Sequence, residues 1–180
     1  MMEDFYKIIP EFQERLNNQW LKNSNVEVYK IVYIENFKTP KKISIFYNKK
    51  DKIKKFIALD EKGNLVGIGK KFEENLIEIT TIFNPKFTTA GVILRNGLLG
   101  LINGGKEIWF EYIPSWETLY INDTILTAGI NNIPLTGIPV GIVTKIETLE
   151  NKMFIKAKIQ PFYKPYKSPF YVVISFIDSF

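Results

Sequence analysis

From residue 26 onward the chain is written in short runs rich in β-branched and aromatic residues, broken by turn signals about every 8–12 residues. That rhythm leaves no room for a long helix and is the texture of a β-sandwich or barrel. The runs predict strands at 26–34, 43–47, 56–59, 65–70, 76–81, 91–94, 98–102, 108–112, 124–128, 139–146, 154–161 and 170–177. In the stretch 153–160, Met153, Ile155, Ala157 and Ile159 share one face while Lys156, Lys158 and Gln160 share the other, so that strand buries one side only. Glu61-Lys62-Gly63-Asn64, Arg95-Asn96-Gly97 and Asn103-Gly104-Gly105 supply tight connections, where Asn and Gly accept the positive φ such turns need. About a dozen strands in roughly 150 residues exceed what one small barrel uses. The expected fold is therefore all-β, with two small antiparallel barrel or sandwich units: residues 26–84 with 164–180, and residues 85–163. The crossings between them are expected at 84–89 and at 163–169, where two prolines interrupt the strands.

Residues 1–25 follow another period. Phe5, Ile8, Ile9, Phe12, Leu16 and Trp20 recur at three- and four-residue steps, predicting a short amphipathic helix. Either it starts near Pro10 and runs to about Lys22, or an entering helix kinks there. At this length the helix is marginal alone. Its apolar stripe needs a partner: the following domain, a twin helix from a second copy, or a longer upstream helix.

Composition narrows the chemistry. The 180 residues include no Cys and no His, which removes thiol nucleophiles, disulfides, the common zinc sites and every His-dependent triad. No GxSxG elbow, P-loop or EF-hand loop occurs, and Gly63-Asn64-Leu65-Val66-Gly67-Ile68-Gly69 sits in a hairpin with no helix to hold a phosphate. Glu107 and Glu111 share a strand face about 13 Å apart, too far for a two-carboxylate glycosidase. The chain is expected not to be an enzyme, and to need neither metal nor cofactor. No stretch approaches the ~18–20 apolar residues that span a bilayer.

Net charge is +5, and the local excess lies in Lys38, Lys41, Lys42, Lys49, Lys50, Lys52, Lys54 and Lys55 against Asp51 alone. Such a patch attracts anions, or is a solvated loop that discourages edge pairing. Aromatics cluster elsewhere, at Trp109, Phe110, Tyr112, Trp116 and Tyr120, and at Phe162, Tyr163, Tyr166, Phe170 and Tyr171. Barrel aromatics with basic charge form the footprint of oligonucleotide-binding folds. That is the competing reading, but stacking sites need both ingredients together, and here they lie in different halves of the chain. The leading reading has no nucleic-acid partner.

The stretch from Ile121 through Asn122-Asp123-Thr124, Thr127-Ala128-Gly129 and Gly137-Ile138-Pro139-Val140-Gly141 to Val143 resembles the MreC family, with its GD-x-V-x-TSG turn followed by a G-I-P-V-G-x-V strand entry. Gly63-Asn64-Leu65-Val66-Gly67 is similar to that family's G-L-V-G turn, and Tyr112-Ile113-Pro114 to its Y-x-P strand end. The resemblance spans about residues 26–177. It departs at Asn122, at Ala128, at Ile133-Pro134-Leu135-Thr136 where the family reads Ile-Phe-Pro-Lys, and at Asn48–Ile53, which lacks the family's glycines.

The resemblance implies a non-enzymatic scaffold of the bacterial cell-elongation machinery at the periplasmic face of the inner membrane, with a membrane anchor and a coiled coil upstream of the barrels. Its implied partners are a class B penicillin-binding transpeptidase, MreD, RodA and further copies of itself. Strand edges and exposed aromatics would offer the contacts. The expected partner-binding residues are Phe110, Tyr112, Ile133, Pro134 and Leu135, a hydrophobic corner, although these could equally be ordinary core. Self-association is expected through Phe5, Ile8, Phe12 and Leu16, with packing of that stripe on the chain's own barrel as the competing account. Gly63, Gly67, Asp123, Thr127, Gly129, Gly137, Pro139 and Gly141 are the motif and turn positions.

Overall fold

The structure is a computed structural model and describes residues 26–48, 55–130, 133–167 and 171–176. The helix expected over 1–25, its self-association stripe and the lysine-rich stretch 49–54 lie outside the described residues.

Twelve strands occur among the described residues: β1 (Val26–Ile34), β2 (Lys42–Phe46), β3 (Lys55–Leu59), β4 (Leu65–Glu73), β5 (Leu76–Thr81), β6 (Thr88–Ile93), β7 (Leu99–Asn103), β8 (Ile108–Pro114), β9 (Thr124–Ala128), β10 (Thr136–Thr148), β11 (Phe154–Pro161) and β12 (Tyr171–Phe176). Each falls on one of the runs read from the sequence. They pair antiparallel into two closed barrels, ordered β1-β12-β3-β4-β5-β2 and β10-β11-β8-β7-β6-β9. The chain thus leaves the first barrel after β5, builds all of the second, and returns with β12.

Alternation decides what each strand buries. On β2, Ile43 and Ile45 point into the barrel while Lys42 and Phe46 face out; on β5, Ile77, Ile79 and Thr81 point in. The inner faces merge into one apolar cluster that runs through both barrels and includes Phe56, Leu65, Ile82, Phe110, Ile133 and Val140. On β11, Ala157 and Ile159 are buried as the alternation requires, whereas Met153 precedes the strand and is exposed. Closure also corrects the expectation that strand edges serve a partner: every described strand is hydrogen-bonded on both sides, so contact must be made through outward side chains and loops.

The first crossing is itself core. Ile82, Phe83, Asn84 and Phe87 are buried. The Ile82 N–H donates to the Val66 carbonyl of the first barrel at 2.9 Å, and the Ile82 carbonyl accepts from Gly105 N–H of the second at 3.2 Å. A Cβ on Gly104 would lie 2.6 Å from the carbonyl oxygens of both Ile82 and Asn84, so only glycine lets this turn seat on the crossing. The return crossing begins with Phe162, whose N–H donates to Val140, and Tyr163, whose buried ring packs on Phe83 at 6.1 Å. Burial, with Asp60 and Glu61 nearby, pushes the Tyr163 hydroxyl far above its ordinary pKa.

Candidate partner-binding face

The motif turns build the frame of the second barrel. Thr127 is buried; its hydroxyl donates to the Leu135 carbonyl at 2.6 Å and accepts from Ile138 N–H at 3.0 Å, tying β9 to the start of β10. Gly129 holds φ +73° with a Cβ position 2.5 Å from Thr136 Oγ1, and a Cβ on Gly141 would stand 2.3 Å from the Gln160 carbonyl oxygen, so both positions need glycine. Gly63 and Gly137 occupy the entries to β4 and β10, Gly67 lies against the β5 backbone, and Pro139 is half-buried on β10.

Asp123 does more than turn the chain. Its carboxylate accepts from Arg95 Nε at 2.8 Å and Arg95 Nη2 at 2.7 Å, a bidentate pair, and from Tyr120 N–H at 2.9 Å. The Asp123 side chain is 6% exposed. The Arg95 hydrogen bond holds its carboxyl below the usual carboxylate range, the Tyr120 N–H and the guanidinium charge adding to this against partial burial. Arg95 also donates to the Thr118 carbonyl at 3.2 Å, lies 4.5 Å from the centre of the Tyr120 ring, and is joined by Asn96 Nδ2 on the same Thr118 carbonyl at 3.1 Å. A hairpin tip from β6–β7 therefore clamps the loop 115–123. That loop carries Trp116, 77% exposed, with Tyr120 and Ile121 also exposed.

Beside the loop lies the outer face of β8 and β11. Strand pairing sets Ile155 against Ile113 and Ala157 against Phe110, so Lys156 faces both Glu111 and Tyr112. That extra residue is a β-bulge, and Tyr112 closes it with φ +61°. The bulge breaks the two-residue alternation: Phe110 is 0% exposed and Tyr112 is 62% exposed although they are two apart. The Tyr112 ring meets Phe154 edge-on at 6.4 Å, and Ser115 N–H donates to the Met153 carbonyl at 2.9 Å, which ties the start of the loop to the start of β11. A left-handed backbone at a tyrosine costs about 1–2 kcal/mol. The bulge retains it and turns a large ring outward.

The charged flank of this face is internally satisfied. The Lys156 ammonium sits 4.1 Å from the centre of the Trp109 ring and 3.5 Å from Glu147; Lys145 pairs with Glu147 at 2.7 Å, and Lys158 with Glu107. These exposed pairs order the surface more than they stabilise it.

Of the five expected contact residues, only Tyr112 is exposed. Phe110 and Ile133 are fully buried and cannot meet a partner while the barrel is closed; inward alternation seals Phe110, and the core draws in Ile133 from its loop. Pro134 and Leu135 are half-buried, with Leu135 packed on the core. They lead into β10 beside β9, whereas Tyr112 stands on β8 between β7 and β11, so the expected corner is not a single place. Sequence reasoning missed Arg95, Met153 and Phe154. The signal for Arg95 was its rarity among the basic residues, 2 Arg in 24, since a planar fork is what a bidentate carboxylate site asks for.

Residues 31–175 match the family described as rod shape-determining protein MreC, barrel core. A solved structure of MreC superposes with a TM-score of 0.78 at 17% identity, covering 96% of this chain and 98% of that one. MreC from Pseudomonas aeruginosa gives 0.72 at 18% identity over 83% of this chain and 98% of the other. A complex between the penicillin-binding protein PBP2 and MreC from Helicobacter pylori includes a chain that gives 0.64 at 18% identity, with 86% and 100% covered. At such identities the likeness is one of fold. A search of the curated proteins finds no match.

Proposed function

Since this chain belongs to the MreC family of rod shape-determining proteins, we propose that it is a non-enzymatic scaffold of the cell-elongation machinery. In this reading it works at the periplasmic face of the inner membrane and holds a class B penicillin-binding transpeptidase on the outer face of its second barrel. Support for the partner comes from the PBP2–MreC complex of Helicobacter pylori, whose MreC shares the fold. The observation that carries the choice of surface is Tyr112: an exposed ring on a strained, bulged backbone, packed on Phe154, with exposed Met153 and Trp116 next to the backbone tie between loop and β11. Strained residues held by their surroundings concentrate at functional sites, and rigid exposed aromatics are the usual anchors of protein interfaces.

Binding would act by population shift, favouring the transpeptidase arrangement that fits this face in proportion to its differential affinity for it. MreD and RodA would be reached through the same assembly. Self-association would use Phe5, Ile8, Phe12 and Leu16. The lysines flanking the aromatic face are engaged with Glu107, Glu147 and Trp109, which disfavours a nucleic-acid backbone there.

Calorimetry between the chain and the periplasmic region of the same organism's class B transpeptidase tests the reading. Binding at micromolar strength or tighter, retained at high salt, is the expected result. Absence of binding, or binding lost with salt, would contradict an apolar interface.

A further inference from the structure

Where the β3–β4 turn of the first barrel faces the end of β11 and the return crossing lies a cleft of about 440 Å³, within the range of small-ligand sites. Its wall combines opposite charges that do not satisfy each other. Lys62 comes from the turn, and Lys164 and Lys167 from the crossing; no ion pair engages any of the three among the described residues. Glu61, half-buried on the same wall, has its Oε2 shut off from solvent and met by no donor. A carboxylate with an oxygen that no donor meets retains hydrogen-bond capacity for a cationic donor that enters the cleft. Asp60 is not available for this: its carboxylate is filled by Lys62 N–H, Asn64 N–H and Asn64 Nδ2, each at 2.9 Å. Gln160 adds a carboxamide, and Phe162 an apolar wall.

We propose that this inter-barrel cleft binds a short zwitterionic peptide, its ammonium at Glu61 and its terminal carboxylate among Lys62, Lys164 and Lys167. Neither charge alone suits the site: a simple anion leaves Glu61 unmet, and a simple cation faces three ammoniums. Because the wall is drawn from both barrels and the crossing between them, the bound peptide bridges them and adds stability by mass action.

The probe is the tripeptide Ala-Ala-Ala, titrated into the isotope-labelled chain and followed by amide chemical shifts. The expected result is saturable shifts confined to Asn64, Phe162, Lys164 and their neighbours, with a rise in thermal midpoint at saturation. Acetylating the amine of the peptide, amidating its carboxyl end, Glu61→Gln, and the pair Lys164→Gln with Lys167→Gln should each weaken binding about tenfold, the scale of one charge-assisted contact. The blocked peptides carry the same information as the variants should a variant fail to fold. Equal shifts from the acetylated peptide would reduce the site to an anion trap and overturn the proposal. So would shifts scattered over the surface, or no saturation by about 20 mM, where affinity falls below any useful level.

Discussion

The two barrels each bury one aspartate at a loop, and they treat its charge in opposite ways. In the first barrel Asp60 is met by amides alone, from Lys62 and Asn64. Burial pushes its carboxyl above the ordinary range, and those hydrogen bonds offset only part of the cost. In the second barrel Asp123 is gripped by Arg95, and its carboxyl lies below that range. The difference follows from loop length. The turn 60–64 folds back tightly enough to supply all of its own donors, whereas the longer loop 115–123 supplies the Tyr120 N–H alone and is closed by a side chain from another hairpin. What the clamp holds out to solvent is Trp116, Tyr120 and Ile121. One aspartate completes a turn; the other presents a surface.

The largest effects should come where backbone meets backbone in the second barrel. Gly141→Val places a side chain 2.3 Å from the Gln160 carbonyl and is expected to cost about 3 kcal/mol or more. Gly129→Val, at positive φ, should follow closely. Unfolding midpoints in denaturant measure both, and an unchanged midpoint would break the account of the β9–β10 frame. Asp123→Ala should cost about 2 kcal/mol, the scale of losing a buried charged acceptor, and should loosen the loop 115–123 in hydrogen exchange. The matching Asp60→Ala should leave that loop untouched.

Acid sharpens the contrast. Asp123 has a lowered folded-state pKa, so its contribution is present above the ordinary carboxylate value of about 3.9 and is lost as pH falls through the lower folded value. Asp60 has a raised folded-state pKa, so stability is gained as pH falls through that value toward about 3.9. Thermal midpoints from pH 7 to 3 should therefore show the deficit of Asp123→Asn shrinking at the acid end. The standing of Asp60→Asn relative to the parent should worsen between neutrality and about pH 4. Parallel curves for the two variants would contradict the assigned directions.

Much of the fold was legible because alternation is a direct record of burial. All twelve described strands stand on runs visible in the sequence, and Thr127, Gly129 and Gly141 stand out there as a motif. The face was harder to read. Even spacing puts Phe110 and Tyr112 on the same side of a strand, and only the bulge at Glu111–Tyr112 separates a core ring from a surface one. Arg95 looked like part of a turn because its partner Asp123 lies 28 residues away. Ile133 sits in a loop by sequence but is drawn into the core by packing that no local pattern encodes.

The smallest stability effects should accompany the largest functional ones. Tyr112→Gly relieves a left-handed backbone and should be neutral or stabilising by up to about 1 kcal/mol, whereas Tyr112→Val should destabilise; both should weaken transpeptidase binding. Trp116→Ala should change stability by no more than about 0.5 kcal/mol yet lower that affinity at least about tenfold.

The most direct test of the proposed face is hydrogen-exchange mapping of the chain with and without the periplasmic region of its class B transpeptidase. Protection concentrated in 109–123 and 153–156, and abolished by Tyr112→Gly in a chain that remains folded, is the predicted result. Protection that spares this face and appears instead on the first barrel, around Phe46 and Phe72, would contradict it.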